Sequence, residues 1–429
     1  MRNILALLIV VGLAIGAIIP VQASSYAQEV VTITYQTWPD VGMETVEDQI
    51  ALFESLYPNI KVKVITVPFY EYFQHLLISL AGDAGPDVIQ MHPYWIGDLI
   101  ERGALLDLAP YIQEDEQAQE AVAGLLPGVL DLYSEEGKIY GLPRDIGLVA
   151  FVVNKDMMSA AGLEYPDLEQ WDWNMFAEYA AAMTHEDEEG RPVWGARIQY
   201  WYQEGYSSWY LSNGGSMVND EGDGCGLESE EVVEAFQFLR DMVDAGIMSP
   251  VTAEGLGYLE GFLDQRVAMQ LCGSWNMDTI TQNATFDWDV IPFPASPRTG
   301  MATPILSVIP YSVNARSKHL DEAVTFALWS MGEDAATILA RNGQGIPTQA
   351  EIAPIFFETV PAEHKLVYLD VANARGDWEV VRTVPTGEWH DQTVNNITQF
   401  VFWDAEEYSV EEALKKVCVE MNAIFDLYD

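Results

Sequence analysis

Two short stretches set flat rings beside hydrogen-bonding groups: Trp38, Pro39 and Asp40, then His92, Pro93, Tyr94 and Trp95. A third, Tyr200 to Tyr210, reads YWYQEGYSSWY. Rings of this kind stack on the apolar faces of an uncharged ligand, while neighbouring carboxylates, amides or guanidinium groups bond its polar rim. The motifs of covalent or metal chemistry are missing. No GxSxG elbow, GxxxxGK[ST] loop, dinucleotide fingerprint, HExxH or paired CxxC occurs, and the six histidines are scattered. Asn219, Glu221, Asp223, Gly224 and Glu230 approach the spacing of an EF-hand loop, but Asn replaces its first Asp and no helical pattern precedes it. We therefore expect no metal, no cofactor and no catalytic residue.

The elements that position these rings follow from apolar spacing. Val31, Ile33 and Tyr35 alternate with polar residues as a strand, and Val46, Ile50, Phe53 and Tyr57 recur at helical spacing before Pro58 ends the element. Ile60, Val62 and Val64 predict a second strand, Tyr70 to Ala81 a helix, and Asp87 to Met91 a third strand. This alternation predicts a parallel sheet covered by helices, with ligand beyond the carboxyl ends of its strands, where Trp38 and Trp95 lie. Ser409 and Glu412 predict a capping box at the start of a last amphipathic helix.

The chain has 429 residues, too many for one compact core, and its 49% apolar content excludes general disorder. Its net charge of -46, from 66 acidic against 20 basic residues, excludes nucleic acid and anionic membrane surfaces as expected partners. A high-salt habitat and simple solubility of an exported protein both account for the acidity. Arg2, an apolar run from Ile4 to Ile19, and small residues up to Ala23 and Ala27 read as a signal peptide over residues 1–27. Retention of that run as an anchor is the alternative, although it is short of the roughly 20 residues of a membrane span. Cys225, Cys272 and Cys418 allow one internal disulfide, with three pairings open.

The segments AGDAGPDVIQMHPYWIGDLIERGALLDLAPYI, GKIYGLPRDIGLVAFVVNKDMMSAAGL, WDWNMFAEYAAAMT, SNGGSMVNDEG, VAMQLCGSW, IPFPASP, EAVTFALWSM and NGQGIPT follow one another along the chain. In order and spacing they resemble the family 1 extracellular solute-binding proteins, the group that includes maltose-binding protein. The resemblance implies an α/β, two-lobed periplasmic-binding-protein fold of type II, each lobe a central sheet flanked by helices. It implies three interlobe crossings, near Leu142 to Ile146, Ala302 to Leu306 and Gly345 to Pro347. Lobe 1 would comprise residues 29–143 plus 304–345, and lobe 2 residues 144–303 plus 346–429.

It further implies an exported monomer, in the periplasm or at the outer cell surface, that captures a small-molecule carbohydrate by hinge closure and delivers it to the membrane subunits of an ABC importer. By the same resemblance Trp275 is a stacking tryptophan, Asp145 a carboxylate that bonds sugar hydroxyls, and Arg144 its neighbour in the hinge. Asp40, Tyr206, Trp209 and Trp389 fall where relatives place ligand contacts, joining Trp38, Tyr94 and Trp95. A peptide, polyamine or glycerol phosphate ester in the same fold, and a secreted glycoside hydrolase, are the rival readings.

Overall fold

The computed structural model describes residues 30–39, 42–82, 84–368 and 387–426, so the leader and Asp40 lie outside the described residues. Its strands are β1 (Val31–Thr37), β2 (Ile60–Thr66), β3 (Val88–Gln90), β4 (Ser134–Glu135), β5 (Lys138–Ile139), β6 (Leu142–Asn154), β7 (His185–Glu186), β8 (Pro192–Arg197), β9 (Val267–Gly273), β10 (Trp288–Ile291), β11 (Leu306–Val313) and β12 (Ile346–Pro347). The first helices are α1 (Met43–Leu56), α2 (Phe69–Ala81) and α3 (Pro93–Glu101). The amino-terminal elements follow the predicted order, and β1 pairs in parallel with both β2 and β3. Ser409 and Glu412 form the predicted capping box on the helix Val410–Phe425.

The main sheet runs in the order β2-β1-β3-β11-β6-β9-β8-β7, with β10 and β12 also pairing with β6. Strand β6 is the backbone common to both halves. Its residues Leu142 to Leu148 pair with β11, and Val149 to Val153 pair with β9. All thirteen of its residues are buried, as the nearly unbroken apolar run in its second half requires of a strand covered on both faces. Asp145 and Ile146 also pair with Pro347 and Ile346 of β12, so three chain segments lie side by side at the waist.

The pairing of β6 with β11 shifts register there. Asp145 stands opposite Ile309 and Pro143 opposite Pro310, leaving Arg144 as an extra residue. Such a bulge re-aims side chains and bends the strand, and here it brings Arg144 and Asp145 into contact.

One apolar cluster, with Ile33, Tyr35, Phe53, Tyr311 and Phe326, covers the outer side of the first half. The other is continuous from Trp38, Tyr72 and Trp95 through β6 to Trp209, Phe236 and Leu414. The two halves thus meet through packed rings and are closed on each other.

Of the three pairings open from sequence, the structure forms Cys225–Cys418 and buries Cys272 in β9. The bridge ties the turn after Asn219 to the last helix, closing a sequence separation of 193 residues. Replacing both partners by serine is expected to lower unfolding free energy by about 2–5 kcal/mol in urea titrations under oxidising conditions. No change in the midpoint would show that the bridge does not form.

Candidate binding cleft

The hinge carries charge inside an apolar strand. Arg144 Nη1 lies 2.9 Å from Asp145 Oδ2, and both side chains are buried. Burial works against the guanidinium charge, but Asp145, with Tyr311 and Tyr35 near, outweighs it and holds the Arg144 pKa above its ordinary value. Burial pushes the Asp145 carboxyl up, and Arg144 offsets part of that rise. Asp145 Oδ1 and Arg144 Nε are buried without a hydrogen-bond partner, which is costly unless closure delivers one. Gly345 makes room for this pair, because a Cβ there would come within 2.5 Å of Asp145 Oδ2.

Two residues along the strand from Asp145, Gly147 provides the seat for Trp275. A Cβ on Gly147 would stand 2.7 Å from the Trp275 ring, and one on Gly273 only 2.2 Å from it. The indole is therefore packed against bare backbone of β6 and β9 while remaining partly exposed. Its Nε1–H donates to Tyr258 Oη at 3.1 Å, and Asn276 Nδ2 donates to the same oxygen at 2.9 Å. Tyr258 in turn donates to Glu204 Oε1, whose Oε2 accepts the Trp201 Nε1–H at 2.7 Å.

Glu204 is 4% exposed, and burial raises its pKa, with the bonds from Tyr258 and Trp201 opposing the rise. It sits in the wide turn Tyr202–Tyr206, whose helical bonding is interrupted at Glu204 and Gly205. Wide turns of this kind recur where a side chain must be re-aimed. A Cβ on Gly205 would meet the Gln199 carbonyl at 2.2 Å, so glycine is what lets the chain fold back here. Gln203 Nε2, next in the chain, donates to Ser307 Oγ on β11 at 2.7 Å.

The opposite wall is aromatic. Trp95 stacks on Phe73 and Tyr72, at 5.4 and 5.6 Å between centroids, and Trp38 meets Phe69 and Tyr72 edge-on. Trp38 and Trp95 thus lie beyond the strands, as their positions predict, but both are packed into the wall and buried rather than displayed as open platforms. Tyr94 leaves the cluster and crosses to the other half, stacking on His390 at 4.0 Å. Trp201 makes the reverse crossing, edge-on to Phe69 and Tyr70 at 5.7 and 5.9 Å.

Three expectations are corrected. Trp209 has no exposed surface and fills the second core among Phe151, Trp173, Phe176 and Phe293. Tyr206 is equally buried, its Oη donating to the Val394 carbonyl at 3.2 Å. Trp389 packs edge-on against Phe425 of the last helix. All three build the core, whereas His390, beside Trp389, meets Tyr94 of the other half. Sequence reasoning missed Trp201, Glu204, Tyr258 and His390. The only signal for the first two was their place in the aromatic-rich segment, whose register periodicity leaves unsettled.

The EF-hand-like segment is a hairpin turn: Asn219 Oδ1 accepts the backbone N–H groups of Asp223 and Gly224, and Val218 bridges to Cys225. Among the described residues, Asp289, Glu363 and His364 bring ligating atoms close together. Lys155 already stands 3.8 Å from Glu363, and His364 bonds Asp289 at 2.7 Å.

A waist of three adjacent segments with rings and buried carboxylates between two halves is the architecture of a hinged solute-binding protein. The chain belongs to the bacterial extracellular solute-binding protein family, whose pattern matches residues 32–337. It is similar to the galactooligosaccharide-binding protein of Bacillus subtilis, with 23% identity over 80% of this chain and 79% of that one. The arabinooligosaccharide-binding protein of Bacillus subtilis shares 24% identity over 70% and 69%. Among solved structures, an ABC substrate-binding protein of Listeria monocytogenes in complex with cycloalternan superposes with a TM-score of 0.82 and 25% identity, covering 93% of this chain and 100% of that one. The fold is thus the two-lobed, type II periplasmic-binding-protein fold.

The division between core and cleft is testable by stability. Trp209→Ala is expected to lower unfolding free energy by about 3–5 kcal/mol. Trp275→Ala, which removes a part-exposed ring and one hydrogen bond, should cost about 1 kcal/mol. Urea titration of both variants checks this, and the opposite order would reverse their assignments.

Proposed function

We propose that this chain is the substrate-binding component of an ABC importer and captures an uncharged carbohydrate between its lobes. The observation that carries the reading is the part-exposed Trp275 ring, joined through Tyr258 to the buried carboxylate of Glu204 and seated on Gly273 and on Gly147, itself two residues along β6 from Asp145. A ring offers its face to sugar C–H groups, and the carboxylates accept hydroxyl donors. The oligosaccharide-binding names of the relatives support the same class of cargo.

The lobes are taken as residues 29–143 with 304–345 and 144–303 with 346–429, which is supported by the way β6 divides its partners between β11 and β9. The protein works as a monomer, outside the cytoplasm, without catalysis. Among the described residues no helix is long and apolar enough to cross a membrane, and the leader reading of residues 1–27 supplies the route of export. Ligand favours the closed form only by its differential affinity for it, so groups from both lobes must touch it. Asp145 from the hinge, Trp275 from lobe 2 and Tyr94 with the aromatic wall from lobe 1 are the contacts we assign. Arg144, the cation at the hinge, is engaged by Asp145. That disfavours a phosphate ester, which would need several cations in the cleft.

A thermal-shift panel of mono- and oligosaccharides, with a peptide and a polyamine as rivals, tests the cargo. A sugar at 100 times its dissociation constant is expected to add about 2.7 kcal/mol of stability. Trp275→Ala should weaken that sugar at least about tenfold, the equivalent of 1.4 kcal/mol. A shift with peptide or polyamine and none with any sugar would overturn the carbohydrate reading. Protein-dependent release of cleavage products would instead establish a hydrolase.

A further inference from the structure

Arg197, the last residue of β8, is a buried cation that bonds neutral oxygens among the described residues. Its Nη1 donates to Ser249 Oγ at 3.2 Å and its Nη2 to the Gly257 carbonyl at 3.1 Å, while Nε is buried without a partner. Burial works against the charge, and Tyr200 and Glu260 offset only part of that effect. A buried guanidinium with no bonded carboxylate is costly. In a chain with 20 basic residues, its place asks for a reason beyond filling the core.

What the guanidinium holds is the segment Gly257–Tyr258. Gly257 has φ of 40°, and a Cβ there would come within 2.0 Å of Glu260 Oε2, so glycine is what lets the backbone turn in this way. The turn aims two consecutive carbonyls at the ends of β8 and β9. Arg197 takes the first. Gln270, which stands opposite Arg197 in the β8–β9 ladder, and Gln199, two residues past Arg197, both donate through Nε2 to the Tyr258 carbonyl at 2.6 Å. The planar fork of an arginine suits the shared grip, because it reaches acceptors on two separate segments, Ser249 and Gly257, at once.

The other end of Tyr258 is in the cleft. Its Oη donates to Glu204 and accepts from Trp275 Nε1 and Asn276 Nδ2. Gly147 and Gly273 give the Trp275 indole a flat seat, but contact with bare backbone has little directional preference and leaves the ring free to turn in its own plane. The hydrogen bond to Tyr258 is directional and selects one orientation.

We propose that Arg197, with Gln199 and Gln270, is a positioning residue for the Trp275 platform: it fixes the backbone at Gly257 and Tyr258, which places Tyr258 Oη, which in turn orients the Trp275 ring. The proposal rests on the reading of Trp275 as the surface that receives ligand, and it adds how that surface is held in advance of binding. Support of this kind from behind a binding group is what keeps it in productive geometry.

The test reads the tryptophan indole N–H resonances of the free, nitrogen-labelled protein by NMR, the Trp275 signal being identified by its loss in Trp275→Phe. Tyr258→Phe, which removes the acceptor, is expected to move that resonance and to speed its hydrogen exchange roughly 3- to 10-fold, the loss of one hydrogen bond. Arg197→Met and Gln199→Met should each move the resonance part of the way in the same direction. Neither should move it further when added to Tyr258→Phe, since all three act along one path. A general loss of stability leaves folded-state resonances where they are, so the shift separates positioning from a merely structural role. Arg197→Lys, which keeps the charge but not the fork, should resemble Arg197→Met. A Trp275 resonance unmoved in both clamp variants, or moved equally with and without the Tyr258 hydroxyl, would overturn the proposal. Should Arg197→Met fail to fold, Gln199→Met, at a half-buried position, decides by the same two criteria. No ligand enters these measurements, so their failure leaves the carbohydrate reading to the thermal-shift panel.

Discussion

Everything in this molecule hangs on one shared strand. Because β6 gives its first half to β11 and β12 and its second half to β9 and β10, the two lobes are parts of one hydrogen-bonded network and not beads on a linker. Relative motion is then confined to the waist, where a few backbone torsions change while the ladders on either side stay intact. The bulge at Arg144 sits in that waist, and the Arg144–Asp145 pair stands where the ladder is already interrupted. A buried ion pair contributes little net stability, since desolvation offsets attraction. Its place at a bending point between lobes fits a role in positioning better than one in holding the fold together.

Closure sets two kinds of interaction against each other. On the favourable side are the rings that meet across the cleft: Tyr94 on His390 and Tyr202, and Trp201 on Phe69 and Tyr70. Each such pair contributes about 0.5–1.5 kcal/mol beyond its burial. Against them stand buried polar atoms without partners, among them Tyr94 Oη, Trp95 Nε1 and Asp145 Oδ1. Each costs about 1–3 kcal/mol. The two kinds of term oppose one another, and a modest differential affinity moves the population wherever the open and closed forms are close in energy.

The fold was largely legible because its signals are local. Alternation in Val31 to Tyr35 and Ile60 to Val64, helical spacing before Pro58, and the Ser409–Glu412 box each depend on a few neighbouring residues, and the structure has these elements within a residue or two. The site was less legible because its signals are not local. Whether Trp209 or Trp201 reaches the cleft depends on a wide turn that breaks helical register at Glu204, which no periodicity announces. Trp38 and Trp95 stand after strands, yet their burial depends on Phe69, Tyr72 and Phe73 of α2 arriving beside them. Tyr258 and His390 come from segments with no motif at all. The pairing of Cys225 with Cys418 likewise required the last helix to be placed against the Asn219 turn.

The charge balance gains meaning once its scarce member is located. With 20 basic residues against 66 acidic ones, each cation is a limited resource. Arg298 lies 3.1, 3.3 and 2.8 Å from Glu230, Glu231 and Glu234 at the start of one helix, and Lys61 pairs with Glu54 at 2.7 Å on the surface. The hinge cation Arg144 is committed to Asp145. Among the described residues named around the cleft are rings, hydroxyls, amides and carboxylates, and Glu204 already accepts neutral donors from Tyr258 and Trp201. A surface charge of -46 would attract cations from solution, but beyond a Debye length of roughly 8 Å that field is screened. Selection inside the cleft is then left to shape and hydrogen bonding, the terms by which the carbohydrate we propose as cargo would be told from its isomers.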